Sequence, residues 1–180
     1  MAKTSTPLKV YLDTSVFLAW LKDENRPSNE MDGVHECFEK ILNGEIQAIV
    51  SSLIRSETDM EQFAPQKQAE FWRLISTRNP LEVGAELRVF DLAGELRWFF
   101  LRQHHANGTS KLSVPDAIHL ATAIQNEVHS FYAFDKKVER KFIDVLNLTR
   151  ERNGHSLVIC KPPVTRPRLP ERTKNAQKGT

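Results

Sequence analysis

The sequence predicts an α/β fold, a three-layer α/β/α domain built around a mainly parallel sheet. Short apolar segments with strand character alternate along the chain with longer segments of helical periodicity. Helical segments separate the predicted strands, which is the arrangement that parallel strands need for their crossover connections. The length of 180 residues is enough for one domain with a sizeable core.

Two strands are predicted in the first third of the chain, at Lys9–Asp13 and Ile46–Val50. After the first strand, Thr14 or Ser15 can cap a helix through its hydroxyl group. A polar loop over 23–31 then leads to an amphipathic helix that ends shortly before the second strand.

The middle of the chain is predicted to be mostly helical. Ser51 or Ser52 can cap a third helix, and a fourth begins after Pro65. Leu87–Phe90 is either a short strand or the start of a helix that runs from about Asp91.

The last part of the chain returns to alternating elements. A turn-rich loop is predicted over 104–113, and Pro115 then lies in the first turn of a helix, where proline is tolerated. A strand at Ser130–Asp135, a short helix over 136–146 and a final strand at His155–Pro162 follow.

The net charge of +2 is an average over two unlike parts of the chain. Residues 161–180 contain six Lys or Arg and one Glu, a charge of +5, which leaves −3 on residues 1–160. The same segment is rich in proline. We therefore expect one domain over 1–160 and a basic, Pro-rich C-terminal tail over 161–180 that is flexible in isolation.

Composition excludes several classes of protein. Ten Phe and three Trp with many aliphatic residues argue against a disordered chain. Cys37 and Cys160 are too few for a disulfide scaffold or a zinc site, which favours a reduced, cytoplasmic setting. No segment is apolar enough to span a membrane, and the first ten residues do not have the pattern of a signal peptide.

Four acidic residues fall at the ends of strands or the starts of helices. Asp13 and Asp135 close two predicted strands, Asp116 begins the helix after Pro115, and Glu57 lies in the helix after the second strand. Because the carboxyl ends of parallel strands meet at one edge of the sheet, these acids can converge in space. Glu61 is an alternative to Glu57, since residues four apart share a helix face.

Such a cluster indicates either a divalent cation or a shifted protonation of its acids. Two carboxylates about 5 Å apart repel by roughly 3 kcal/mol at an effective dielectric of about 20. Oxygen ligands without His or Cys suit Mg²⁺ or Mn²⁺, and phosphodiester hydrolysis is the chemistry such a site supports best. Taken singly, however, an Asp at a strand end or a helix start is more often a turn former or an N-cap than a metal ligand.

Four segments resemble the PIN-domain nucleases, in the order that this family has them. VYLDTSVFLAWL is similar to the family's first strand and helix, and IVSSLIRSE to the strand and helix bearing the second acid. SVPDAIHLATAI closely resembles the third-acid helix, and FYAFDKKVERK the strand ending in the fourth acid. The resemblance covers about residues 8–160 and is greatest to VapC-type toxins of toxin–antitoxin pairs.

The resemblance implies a Mg²⁺- or Mn²⁺-dependent endoribonuclease that is held inactive by a small antitoxin, and it implies a homodimer. Carried over residue by residue, Asp13, Glu57, Asp116 and Asp135 form the catalytic and metal-binding site. Thr14 becomes a polar helper that hydrogen-bonds a carboxylate or a water at the metal.

Two other classes of function remain as alternatives. The fold could be a catalytically silent module that binds RNA or an antitoxin, although silent relatives usually lose at least one acid and all four are present. A haloacid-dehalogenase-type phosphatase also begins with a strand ending in Asp, but it needs a second Asp two residues on. Ser15 occupies that position after Asp13, which disfavours this class.

Structural explanations are favoured for the remaining conspicuous residues. His119 lies one turn after Asp116, yet a packing role is favoured for it. Cys37 is expected in the core, and the three Trp residues in core or dimer contacts. Four basic residues flank the acidic edge and could contact RNA phosphates, with a solvated role slightly favoured for each: Arg55, Lys111, Lys136 and Lys137.

Overall fold

A computed structural model describes residues 7–77, 79–104, 112–134, 143, 145–148 and 155–165. The strands are β1 (Leu8–Leu12), β2 (Ile46–Ser51), β3 (Leu81–Val83), β4 (Ser130–Tyr132) and β5 (Val158–Cys160). The α-helices are α1 (Thr14–Lys22), α2 (Ser28–Leu42), α3 (Ile54–Glu57), α4 (Pro65–Ile75), α5 (Leu87–His104) and α6 (Val114–Gln125). Short 3₁₀ helices lie at Met60–Gln62 and Val145–Asn147.

The five strands form one sheet in the order β3-β2-β1-β4-β5, and each neighbouring pair is parallel. Val10 of β1 is opposite Ala48 on one side and Ser130 on the other. The chain adds strands outward from β1 on the β2 side and then returns to β4 on the opposite side of β1. The carboxyl ends of β1 and β4 therefore border a topological switch point, where sites form in open α/β sheets.

Helices cover both faces of the sheet, so the predicted three-layer α/β/α fold is confirmed. On one face, Tyr11 and Phe131 pack beneath α5 and α6. On the other face, Val10 and Leu12 pack with α1, α2 and α4. Alternate residues of β1 therefore enter opposite cores, as the pleat of a strand buried on both faces requires.

Cys37 packs in the core and Trp20 packs against it, as the sequence indicated. Cys37 is buried in the core beneath α2, where burial raises the pKa of its thiol to about 12. The Trp20 ring stacks on Phe38 with their centroids 4.6 Å apart.

The structure decides one alternative that the sequence left open and differs from the sequence prediction at two other places. Leu87–Phe90 is helical, because α5 begins at Leu87 and buries Val89 while it exposes Leu87 and Phe90. The strand beside β2 is instead Leu81–Val83, whose three residues at the sheet edge are too short for a clear alternating pattern. Helix α2 begins at Ser28 inside the predicted polar loop, since its first turn is itself polar.

Several predicted features lie wholly or mostly outside the described residues. These are most of the loop over 104–113, most of the helix over 136–146, and the tail beyond Thr165. In the described part of the chain, no helix is long and apolar enough to cross a membrane.

The first residues of the predicted tail contact α2. Lys161 Nζ lies 2.9 Å from a carboxylate oxygen of Glu30, and the Thr165 amide donates to Glu36 over 2.8 Å. Between these contacts, the carbonyl of Pro162 lies against the Cα of Gly33. Residues 161–165 are therefore packed along the surface of α2.

Replacing Gly33 by Ala is expected to destabilise the protein. A Cβ atom at Gly33 would lie 2.3 Å from the Pro162 carbonyl oxygen, so the segment over 161–165 would have to move. Overpacking of this kind costs about 1–3 kcal/mol, which should lower the urea midpoint. The matched control is Gly94→Ala in α5, where nothing lies within 4 Å and a gain of roughly 0.5–1 kcal/mol is expected. Equal stabilisation by both changes would contradict the packing described here.

Candidate active site

Asp13 directly follows β1 and is almost completely buried. Its amide donates to the carbonyl of Tyr132 over 2.9 Å, which fixes its backbone to the end of β4. Its Oδ1 accepts hydrogen bonds from the Ser15 amide (2.8 Å) and the Ser15 hydroxyl (2.5 Å). Asp13 is thus the N-cap of α1, so the prediction that Thr14 or Ser15 caps this helix was wrong.

Ser15 joins the ends of the two strands that border the switch point. While its hydroxyl donates to Asp13, the same oxygen accepts from the Phe134 amide over 3.1 Å. Sequence reasoning missed this role, because a Ser two residues after an Asp indicates only a capping turn. Its bond to residue 134 depends on the pairing of β1 with β4.

Glu57 reaches the same edge of the sheet from α3. This helix is a single turn that ends at Glu57, and the carboxylate is about three-quarters buried. Thr14 donates its hydroxyl proton to Glu57 Oε2 over 2.5 Å. Glu61 lies in a separate 3₁₀ helix and is exposed, so the expectation that Glu57 and Glu61 share a helix face was wrong.

Asp116 lies in the first turn of α6 and is buried. Ser113 is the N-cap of this helix, and its hydroxyl oxygen accepts from the Asp116 amide over 3.1 Å. The same hydroxyl donates its proton to Asp116 Oδ2 over 2.5 Å. The Ser113 hydroxyl therefore both caps α6 and holds the Asp116 carboxylate at the start of this helix.

His119 contacts Glu57 directly. Its Nε2 lies 2.7 Å from Glu57 Oε2, and its Nδ1 lies 2.6 Å from the hydroxyl of Tyr11. The imidazole is buried, and it lies one turn after Asp116 on the same face of α6. The spacing of His119 from Asp116 can be read from the sequence, but its contact with Glu57 cannot, because Glu57 is 62 residues away.

The protonation of Glu57 and Tyr11 reflects this network. Burial alone would raise the pKa of Glu57, but hydrogen bonds from His119 and Thr14 outweigh it and lower the pKa below the ordinary value. The pKa of Tyr11 is well above its ordinary value, first because of burial and then because of the nearby charge of Asp13. Tyr11 therefore keeps its proton as a hydrogen-bond donor.

The structure thus brings three predicted site residues to one edge of the sheet: Asp13, Glu57 and Asp116. Each has one carboxylate oxygen held by a neighbouring hydroxyl group, from Ser15, Thr14 and Ser113 respectively. The fourth predicted acid, Asp135, lies outside the described residues, as do Lys111, Lys136 and Lys137.

The donor set fits a hard divalent cation. Carboxylate oxygens are the ligands that Mg²⁺ and Mn²⁺ prefer, and the three acids come from three different elements around the switch point. Within the described residues, no three Asp, Glu, His or Cys side chains already enclose a cation-sized position. Nε2 of His119 is hydrogen-bonded to Glu57, so the ligand candidates are oxygen atoms.

Arg55 is held by an acidic partner. Its Nε and Nη2 atoms donate to the two carboxylate oxygens of Glu82 over 2.5 and 2.7 Å, and its guanidinium lies over the Trp72 ring. Hydrogen bonding from Arg55 lowers the pKa of Glu82. This pairing favours the structural role for Arg55 over contact with RNA phosphates.

Comparison with known proteins identifies one family. A profile of the PIN domain matches residues 10–142, which is well over half of the chain. No curated protein sequence matches.

Two solved structures share the fold at low sequence identity. One is VapBC2 from Rickettsia felis bound to a promoter DNA fragment, with 14% identity and a TM-score of 0.53 over 86% of this chain and 98% of that chain. The other is DNA-bound VapBC from Salmonella typhimurium, with 16% identity and a TM-score of 0.53 over 84% and 98%. At these identities the likeness supports the fold alone.

Replacing Thr14 by Val is expected to raise the pKa of Glu57 toward its ordinary value or above, because one of the hydrogen bonds that lower it is lost. A depressed carboxyl pKa contributes stability above the unfolded pKa, and this contribution is lost as pH falls through the folded pKa. The variant should therefore lose part of its stability at neutral pH. Carbon-detected NMR titration in EDTA measures the pKa directly.

The internal control for this titration is Glu82, whose partner Arg55 is unchanged in the variant. The pKa of Glu82 should be the same in both proteins. An unaltered Glu57 titration in Thr14→Val would contradict the hydrogen bond from Thr14.

Proposed function

Because the chain belongs to the PIN domain family, we propose that it is a divalent-metal-dependent endoribonuclease and the toxin of a type II toxin–antitoxin pair. Members of this family are generally nucleases that use divalent metal ions. The observation that carries the proposal is that Thr14, next to Asp13, and His119, one turn after Asp116, both contact the Glu57 carboxylate at the carboxyl edge of a parallel sheet. Each of the three acids also has a hydroxyl group on one carboxylate oxygen. Two of these carboxylates are buried and the third is largely buried, and buried carboxylates are usually paired with other groups or bind a metal ion.

The residues of the site would have different roles in binding the cation. Asp13, Glu57 and Asp116 would hold Mg²⁺ or Mn²⁺, with Asp135 as the proposed fourth acid. Ser15, Thr14 and Ser113 keep the three carboxylates in fixed orientations, which lowers the cost of ordering them on binding. When bound, a divalent cation in such a site polarises a phosphoryl oxygen, lowers the pKa of water and offsets charge developing on the phosphate.

RNA is the proposed substrate, because the four motifs resemble those of VapC-type toxins. The same resemblance supports a small antitoxin as the partner and a homodimer as the assembly. Helix α5 exposes Leu87, Phe90 and Trp98 on one side, an apolar surface that a second copy of the chain could cover. The catalytically silent RNA- or antitoxin-binding module remains the alternative function.

Replacing Asp13 or Asp116 by Asn is expected to lower RNA cleavage by more than about 100-fold, beyond the 10- to 100-fold typical for residues that only support ligands. Cleavage should be followed with Mg²⁺, with Mn²⁺ and with EDTA, which should abolish it. Glu61→Gln is the matched control, since Glu61 is an exposed acid near Glu57 in sequence and should be dispensable.

These measurements distinguish a ribonuclease from a catalytically silent binding module. Unchanged cleavage in both Asn variants would refute the assignment of the acids. Wild-type protein that binds RNA but does not cut it with either metal would favour the silent module.

The antitoxin proposal is tested by the neighbouring gene. We expect a small open reading frame beside this one whose product binds the chain and suppresses its RNA cleavage in proportion to the amount bound. Protein from that reading frame can be titrated into the cleavage assay, with a heat-denatured sample as the control. A product that neither binds nor inhibits would argue for a role outside a toxin–antitoxin pair.

A further inference from the structure

Both ring nitrogens of His119 are hydrogen-bonded, although the sequence favoured a packing role for this residue. Nε2 lies 2.7 Å from Glu57 Oε2, and Nδ1 lies 2.6 Å from the Tyr11 hydroxyl. The ring is 1% exposed, so water does not compete for either nitrogen. A buried imidazole needs a partner for each nitrogen, and here one of the two partners is a predicted metal-binding carboxylate.

Tyr11 connects His119 to the backbone of β2 through hydrogen bonds. The Ser51 amide donates to the Tyr11 hydroxyl oxygen over 3.1 Å, and the same hydroxyl group is hydrogen-bonded to His119 Nδ1 over 2.6 Å. An ionised carboxylate only accepts hydrogen bonds, and the partner of His119 Nε2 is the Glu57 carboxylate. Nε2 therefore donates to Glu57 Oε2.

Packing holds this chain of hydrogen bonds in place. The Tyr11 ring stacks on Phe131 with centroids 4.9 Å apart and meets the His119 ring edge-on at 5.8 Å. Tyr11 lies in the central strand β1 and is fully buried. The position of the imidazole is thus set by the core of the sheet.

The two oxygens of Glu57 consequently differ. Oε2 accepts from both Thr14 and His119. Within the part of the chain that the structure describes, no hydrogen bond to Oε1 is present. Fixing one oxygen by two donors selects one orientation of the carboxylate and leaves Oε1 available to bind a ligand.

We propose that His119 is a positioning residue, supported by Tyr11, that holds Glu57 so that its Oε1 atom binds the divalent cation. The proposal rests on the proposed function, since it assumes that the acidic site binds Mg²⁺ or Mn²⁺. Partners that orient metal ligands typically contribute 10- to 100-fold to metal affinity. The affinity for the cation in the absence of RNA is therefore the property that His119 and Tyr11 should control.

The test measures Mn²⁺ affinity of the full chain by electron paramagnetic resonance of the free ion, together with RNA cleavage. We expect His119→Leu and Tyr11→Phe each to weaken Mn²⁺ binding by about 10-fold or more. His119→Gln can place an amide donor near the position of Nε2, so it should recover most of the affinity. Circular dichroism establishes that each variant is folded.

Thr122→Val is the matched control for burial of a polar group in α6. Thr122 is fully buried and donates to the Ile118 carbonyl within its own helix, without a hydrogen bond to Glu57. We expect this variant to bind Mn²⁺ as the wild type does, whatever its stability. If His119→Leu does not fold, Tyr11→Phe, which preserves the ring, still tests the proposal.

Failure of this inference can be told apart from failure of the proposed function. Wild-type Mn²⁺ affinity in folded Tyr11→Phe and His119→Leu, with binding lost in Asp13→Asn, would overturn the positioning role and leave the metal site intact. A wild-type protein that binds no Mn²⁺ would overturn both.

Discussion

The carboxylate of Glu57 is the group on which the rest of the site depends. It is largely buried, and a charge in that position needs hydrogen-bond donors. Thr14 supplies one from the start of α1, and His119 supplies another from α6. One oxygen atom therefore links the connection after β1, the single turn of α3 and the helix that carries Asp116. The contacts of this oxygen therefore require that all three elements are correctly positioned relative to one another.

The topology of the sheet makes this convergence possible. Because β1 is central and the chain returns to β4 on its other side, Asp13 lies at the switch point with its amide bound to Tyr132. The N-termini of α1 and α6 contribute Asp13 and Asp116, each with a Ser hydroxyl on one oxygen. The Asp13 carboxylate caps α1, and the Asp116 carboxylate accepts from the hydroxyl group that caps α6. The structural role of each acid is compatible with a functional one.

Much of this could be predicted from the sequence, because strand ends and helix starts are local signals. The apolar strand before Asp13 predicts that this residue lies at a strand end. Pro115 predicts that Asp116 lies at the start of a helix. The choice of Glu57 over Glu61 could not be derived from periodicity, since α3 ends after one turn. The contact between His119 and Glu57 and the bond from Ser15 to Phe134 span 62 and 119 residues. Both depend on tertiary packing, which no local pattern encodes.

We propose that Asp13, Glu57 and Asp116 hold one divalent cation while Thr14 and His119 remain bonded to Oε2 of Glu57. An anomalous-difference map from crystals soaked in Mn²⁺ would locate the ion. We expect a peak at the carboxyl edge of β1, within coordination distance of Glu57 Oε1, with Oε2 still hydrogen-bonded to Thr14 and His119. A peak coordinated through Oε2, or Mn²⁺ bound only elsewhere on the protein, would contradict it.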